Sequence, residues 1–214
     1  MYKRQIYDGL IQLQHRGQDA AGISSLDSSI MHLHKDTGLV TEVFKKTKSK
    51  VNLTGNLGVG HVRYPTAGNN DVNDSQPFFT SNPVNIALAH NGTLTNSDSI
   101  RDKLIKTHFC QFNTSSDSEA LLNLFAFELY KTNFRRLTKN HVIKALKMVY
   151  DKCNGGFSVV VLVSGVGIVA FRDPNGIRPL SMGRKDNSFM FASESSALTA
   201  VSYTHLTLPT RRGG

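Results

Sequence analysis

The chain has 214 residues, of which 39% are hydrophobic, 8% aromatic and 19% charged, a composition that can bury a core and speaks against wholesale disorder. No apolar run approaches the roughly 20 residues needed to span a bilayer, so no membrane partner is expected. Two cysteines and no leader-like start fit a reducing, cytoplasmic setting, and the net charge of +9 raises the question of nucleic acid.

Part of the charge lies at the ends. The stretch VSYTHLTLPT from Val201 looks like the translation of a transposon-end sequencing adapter, and MYKRQ looks like its opposite strand. Residues 1–5 and 201–214 are therefore expected to be scars. Setting them aside leaves one domain over 6–200, with 21 basic residues against 16 acidic and a charge of +5. The remaining basic residues are interspersed with acids except at Lys45–Lys50, where no stacking aromatics accompany them. No nucleic-acid partner is expected.

Ile6 to His15 spaces its apolar groups as an amphipathic helix, with Gly17 as a left-handed stop. Ala20–Leu26 and Ser29–His34 read as a strand pair around Asp27-Ser28, and Gly38–Phe44 as a short helix. Leu57–Tyr64 and Val84–His90 are strand-like, each expected to run into a polar loop. A helix over Asp98–Lys106 precedes one to Tyr130 whose start, Ser116-Asp117-Ser118-Glu119, fits an S-x-x-E capping box. Lys139–Lys152 is a third helix. Phe157–Val163, Gly167–Arg172 and Ser188–Ala192 are strands, followed by a helical turn. These elements predict a single α+β sandwich.

Three loops hold candidate chemistry. Arg63, ending a strand before Tyr64-Pro65-Thr66, suits a bidentate carboxylate clamp or a structural salt bridge. Asn91-Gly92 can aim a side-chain amide and a backbone N–H at one oxyanion, or form an ordinary Asn-Gly turn. In Asn113–Glu119, one carboxylate could accept a ligand ammonium, or every polar group could cap the helix. Together they would suit free glutamine.

Order and spacing then carry a resemblance. LQHRGQDAAGI from Leu13, GHVRYPTAG from Gly60, QPF from Gln76, LAHNGTLTN from Leu88, TSSDSEALLN from Thr114, FRDPNGIRPL from Phe171 and FASES from Phe191 resemble the glutaminase domain of the amidophosphoribosyltransferase family. The resemblance implies an αββα four-layer sandwich of the N-terminal-nucleophile hydrolase type, here incomplete. It implies an enzyme that releases ammonia from glutamine to make phosphoribosylamine from phosphoribosyl pyrophosphate, the first step of purine synthesis. By resemblance Arg63 holds the α-carboxylate, Asp117 the α-ammonium, and Asn91 with the Gly92 N–H the oxyanion, while Tyr64 and Thr66 shape the pocket. The family's partners are glutamine and a C-terminal phosphoribosyltransferase domain carrying magnesium, in a homo-oligomer. No metal or cofactor is expected in this domain.

The family's nucleophile is a first-residue cysteine whose own α-amine is the base. No cysteine precedes Cys110, and Cys110 and Cys153 sit in no matching motif, so the chain is expected to be a truncated, inactive glutaminase fragment. Other class II amidotransferases, or a catalytically dead glutamine-binding regulator, are the alternatives. The Arg172–Arg178 loop is expected to be a structural turn with charge pairs, and His15, His61 and His90 to be hydrogen-bonding supports.

Overall fold

A strand with small residues on one side can lie close to a second sheet, and β1 (Ala20–Asp27) is built that way. Ala21 and Ile23 face outward onto helices, while Leu26 turns the other way. In the computed structural model, which describes residues 2–45, 53–64, 72–108 and 110–206, β1 lies between β2 (Ile30–Thr37) and β3 (Leu57–Arg63), antiparallel to both. A second antiparallel sheet has the order β4 (Phe78–Thr80), β5 (Ile86–Leu94), β6 (Gly155–Val163), β7 (Gly167–Arg172). Leu26 and Val59 of the first sheet meet Ala87, Ala89 and Leu162 of the second, so the sheets stack face to face.

The outer face of the first sheet is covered by α1 (Tyr2–Gln12) and α2 (Val40–Lys45), through Leu10, Val40 and Val43 against Ala21 and Ile23. The outer face of the second is covered by α3 (Ser97–His108), α4 (Asp117–Tyr130) and α5 (Lys139–Lys152). The result is the four-layer αββα arrangement. The middle helix, α4, is buried on nearly every side because α3 and α5 flank it over the sheet. Its buried Glu128 is matched by Lys131 at 3.2 Å and by Lys152, which lets a carboxylate sit in an otherwise apolar layer.

Several expectations are corrected. Gly17 is extended (φ −169°), not left-handed; it is a glycine because a Cβ would come within 2.6 Å of the Val62 and Arg63 backbone. The helix before it spans 2–12 and is followed by a 3-10 turn at Gln14–Arg16. His90-Asn91-Gly92 is not a loop, because β5 continues to Leu94 in unbroken register with β6. Ser116 caps α4 through the N–H of Ser118, but Glu119 reaches past it to the N–H groups of Asn113 and Thr114 at 2.9 and 2.8 Å.

Three strands had no clear sequence signal: β4, β8 (Ser181–Lys185) and β10 (Thr204–Leu206). A third small sheet joins β10, β8 and β9 (Ser188–Ala192), with α6 (Ser195–Thr199) packed on it. Residues 2–5 and 201–206, set aside above, occupy defined places. The former are the first turn of α1, Val201 and Tyr203 are buried beside Leu198, and the Tyr203 hydroxyl donates to Gln5 Oε1 at 3.2 Å. Residues 207–214 and most of the Lys45–Lys50 run lie outside the described residues. Among the described residues no helix is long and apolar enough to cross a membrane.

Candidate active site

Side chains alternate across a strand, so Val59, His61 and Arg63 of β3 share one face. Val59 places that face toward the second sheet. On β5, Ala87 and Ala89 likewise put Asn91 toward the first sheet, while Leu88 and His90 look to α4. A cavity of about 1540 Å³ opens here, walled by β3, the Asn91 end of β5, α1 and the small third sheet. Arg63, Tyr64, Asn91, Gly92 and Asp117 all line it. Thr66, with the Pro65–Gly68 turn, lies outside the described residues.

Arg63 is only 14% exposed and its guanidinium stands 3.9 Å from Asp74 Oδ2, so part of the salt-bridge reading is realised inside the cavity. Tyr64 is 67% exposed at the rim. Asp117, the first residue of α4, accepts the Leu94 N–H on Oδ2 at 2.9 Å and the Ser118 hydroxyl on Oδ1 at 3.3 Å. Those bonds aim its carboxylate along the edge of β5, and the helix N-terminus favours negative charge there.

The direction of the Gly92 N–H follows from its partner strand. Phe157, opposite Gly92 on β6, accepts the Asp173 N–H at 2.8 Å and donates its own N–H to Asp173 Oδ2 at 3.2 Å. Both polar backbone groups of Phe157 therefore face β7. The 92–157 position is a non-hydrogen-bonded pair, and the Gly92 N–H points away from β6 toward the cavity edge. Gly92 has φ +148°, and a Cβ there would sit 2.2 Å from the Gly156 oxygen. Only glycine fits.

Asp173 itself is gripped by backbone rather than by arginine. It accepts N–H groups from Asn175 and Ile177 at 3.0 Å each, besides that of Phe157. Burial pushes its carboxyl up, and these N–H bonds, with that of Arg178, more than reverse the effect, so the net pKa is lowered. The expected charge pairs are thus replaced by a backbone nest.

Of the three histidines, His15 bonds the Gln12 carbonyl and Glu194, and His90 Nδ1 lies 2.8 Å from Ser118 Oγ. His61 Nδ1 is buried with no hydrogen-bond partner. Burial, then the neighbouring His90, Arg63 and Arg16, lower the His61 pKa to about 4, which keeps the ring neutral near pH 7. Burial also lowers that of His90 against the opposing pull of Asp117. Neither cysteine lines the cavity. Burial raises the Cys110 thiol and pushes Cys153 up to about 12, so neither is a ready thiolate. Gln76 and Asp74, for which the sequence suggests no role, also stand in the cavity wall; Gln76 opens the QPF motif, and the segment that carries both lies between β3 and β4.

A four-layer αββα core with a cavity lined by Arg63, Asn91, Gly92 and Asp117 fits a glutamine amidotransferase domain: residues 61–200 match the family model of that description, and the chain belongs to that family. Among curated proteins it is similar to the amidophosphoribosyltransferase of Escherichia coli, with 46% identity over 209 residues, covering 94% of this chain and 41% of that protein. The Pseudomonas aeruginosa enzyme of the same name is 45% identical over 203 residues, covering 93% and 40%. Among solved structures, the allosteric regulatory enzyme of purine biosynthesis superposes with a TM-score of 0.78 at 36% identity, over 95% of this chain and 42% of that one. The glutamine phosphoribosylpyrophosphate amidotransferase of Bacillus subtilis, complexed with ADP and GMP, gives 0.77 at 34%, with the same coverage. The chain spans about 40% of the length of these curated relatives.

Proposed function

We propose that this chain is the glutamine-hydrolysing domain of an amidophosphoribosyltransferase. In the whole protein, its ammonia would serve synthesis of phosphoribosylamine in a separate, magnesium-dependent phosphoribosyltransferase domain. The observation that carries the reading is the meeting of Arg63, Asn91, Gly92 and Asp117 in one cavity. A free amino acid needs a cation for its carboxylate and an anion for its ammonium, and Arg63 and Asp117 offer one of each. Tyr64, at the rim, would close the same end of the pocket.

Hydrolysis needs a nucleophile at the carboxamide carbon. A thiolate adds there, the carbonyl oxygen becomes an oxyanion facing the Asn91 amide and the Gly92 N–H, and ammonia departs with the proton taken from the thiol. Water then attacks the thioester and releases glutamate. Cys110 and Cys153 are remote from that point and protonated, so the chain by itself lacks this step. The cavity exceeds the roughly 300–1,000 Å³ of a typical small-molecule site, and among the described residues β3 pairs with β1 alone. An extended, cysteine-initiated segment laid along the open edge of β3 would bring a thiol and its α-amine into the cavity.

Calorimetric titration of L-glutamine tests the pocket. Binding is expected to weaken about 10- to 100-fold in Arg63→Ala and in Asp117→Asn, the scale of one hydrogen bond to a charged group. Unchanged affinity in both folded variants overturns the assignment. A version extended upstream by a Cys-Gly segment is expected to release glutamate.

A further inference from the structure

The pairing of β4 with β5 stops one step before the site and a side chain continues it. Phe78 lies opposite Leu88 and Thr80 opposite Ile86, a register that would set Pro77 against Ala89 and Gln76 against His90. The backbone strand ends at Phe78, before the next hydrogen-bonding position, which is the one opposite His90. The side-chain amide of Gln76 takes over. Its Oε1 accepts the His90 N–H at 2.7 Å and its Nε2 donates to the His90 carbonyl at 3.1 Å, the two bonds a backbone partner would make. The second Nε2 proton reaches Ser118 Oγ at 3.2 Å. Gln76 is only 9% exposed, so these bonds form away from bulk water.

Ser118 is the hub. It accepts from Gln76 and donates to Asp117 Oδ1, and the arrangement that satisfies every contact has neutral His90 donating from Nδ1 to the same hydroxyl. Along this edge of β5, His90 is held by Gln76, Leu94 is held by Asp117, and the Gly92 N–H lies between them. Gln76 and Asp117 are joined through Ser118.

We propose that Gln76 is a positioning residue of the glutamine site: by standing in for a strand, it fixes the spacing between the Gly92 N–H and the Asp117 carboxylate. The proposal rests on the roles given above to Gly92 and Asp117. It is tested on the full chain with Gln76→Leu and the near-isosteric Gln76→Glu, by L-glutamine titration between pH 7 and pH 5 beside the wild type, Arg63→Ala and Asp117→Asn. Gln76→Leu is expected to lose at least tenfold in affinity at every pH while keeping its circular dichroism. Gln76→Glu keeps the acceptor for the His90 N–H but regains a donor only when its carboxyl is protonated. Its deficit relative to the wild type is therefore expected to shrink severalfold toward pH 5, which a merely structural role would not produce.

Wild-type affinity in folded Gln76→Leu, or a pH-independent deficit in Gln76→Glu, overturns the positioning role. If instead Arg63→Ala and Asp117→Asn bind like the wild type, it is the site assignment that fails. Should neither Gln76 variant fold, amide hydrogen exchange in the wild type decides. Glutamine is expected to slow the His90 and Gly92 amides together, and slowing at Gly92 with none at His90 overturns the proposal.

Discussion

The two faces of the sheet β4–β7 solve different problems with the same strands. Toward the helices, β5 presents Ile86 and Leu88, which are buried in one cluster with Phe125, Leu121 and Leu129 of α4. Toward the other sheet it presents Ala87, Ala89 and then Asn91, small residues giving way to a polar one where the cavity opens. Close packing is concentrated on the first face and the cavity on the second, so the proposed binding groups are carried on elements backed by a packed core.

That division can be broken most forcefully at Phe125, which is fully buried in the helical layer. Phe125→Ala is expected to cost about 3–5 kcal/mol of unfolding free energy, measured by denaturant titration, with glutamine affinity of the folded fraction unchanged. A small stability loss with a large loss of affinity would show that the faces are not separable.

On the cavity face the expected effect is smaller and depends on pH. The His61 pKa falls from 6.5 to about 4 on folding, so between those values the unfolded chain binds more protons and stability drops as the pH is lowered. The full shift corresponds to about 3 kcal/mol. Unfolding curves at pH 7 and pH 4.5 should show the decline, and His61→Asn should flatten it. An equal slope in that variant would move the effect to His90.

The junction of the two faces gives the finest probe. Ser116 caps α4 directly before Asp117, its hydroxyl accepting the Ser118 N–H at 3.2 Å. Ser116→Ala is expected to cost about 1 kcal/mol and to lower glutamine affinity modestly, because the first turn that carries Asp117 frays. Thermal melts and titration on one sample separate the two readouts.

The helical face was the legible one. α4 announced itself through Ser116 and a long apolar run, and α5 through Val142, Leu146 and Val149 on one side. The cavity face was legible as residue types but not as geometry. Asn91-Gly92 reads locally as a turn, yet it remains strand because the ladder with β6 runs through it, and the glycine takes φ +148° where a Cβ would meet the Gly156 oxygen. β4 was hidden by its length of three residues, and β8 by Gly183, Arg184 and Lys185, which show no alternation. Arg63 and Asp117 could be picked out because one ends a strand and the other begins a helix, and Asn91 because it precedes a glycine, although it lies inside β5. Gln76 could not, since its role depends on a register between strands that no local pattern states.

The nest around Asp173 reaches further than its own turn. By engaging both backbone groups of Phe157 it decides which residues of β6 face β5, and hence on which side of its strand Gly92 offers a proton. The aim of one amide is set two strands away, by a carboxylate that does not line the cavity. Anyone redesigning this pocket should leave that distant anchor alone, for a slip there would turn the donor to the wall.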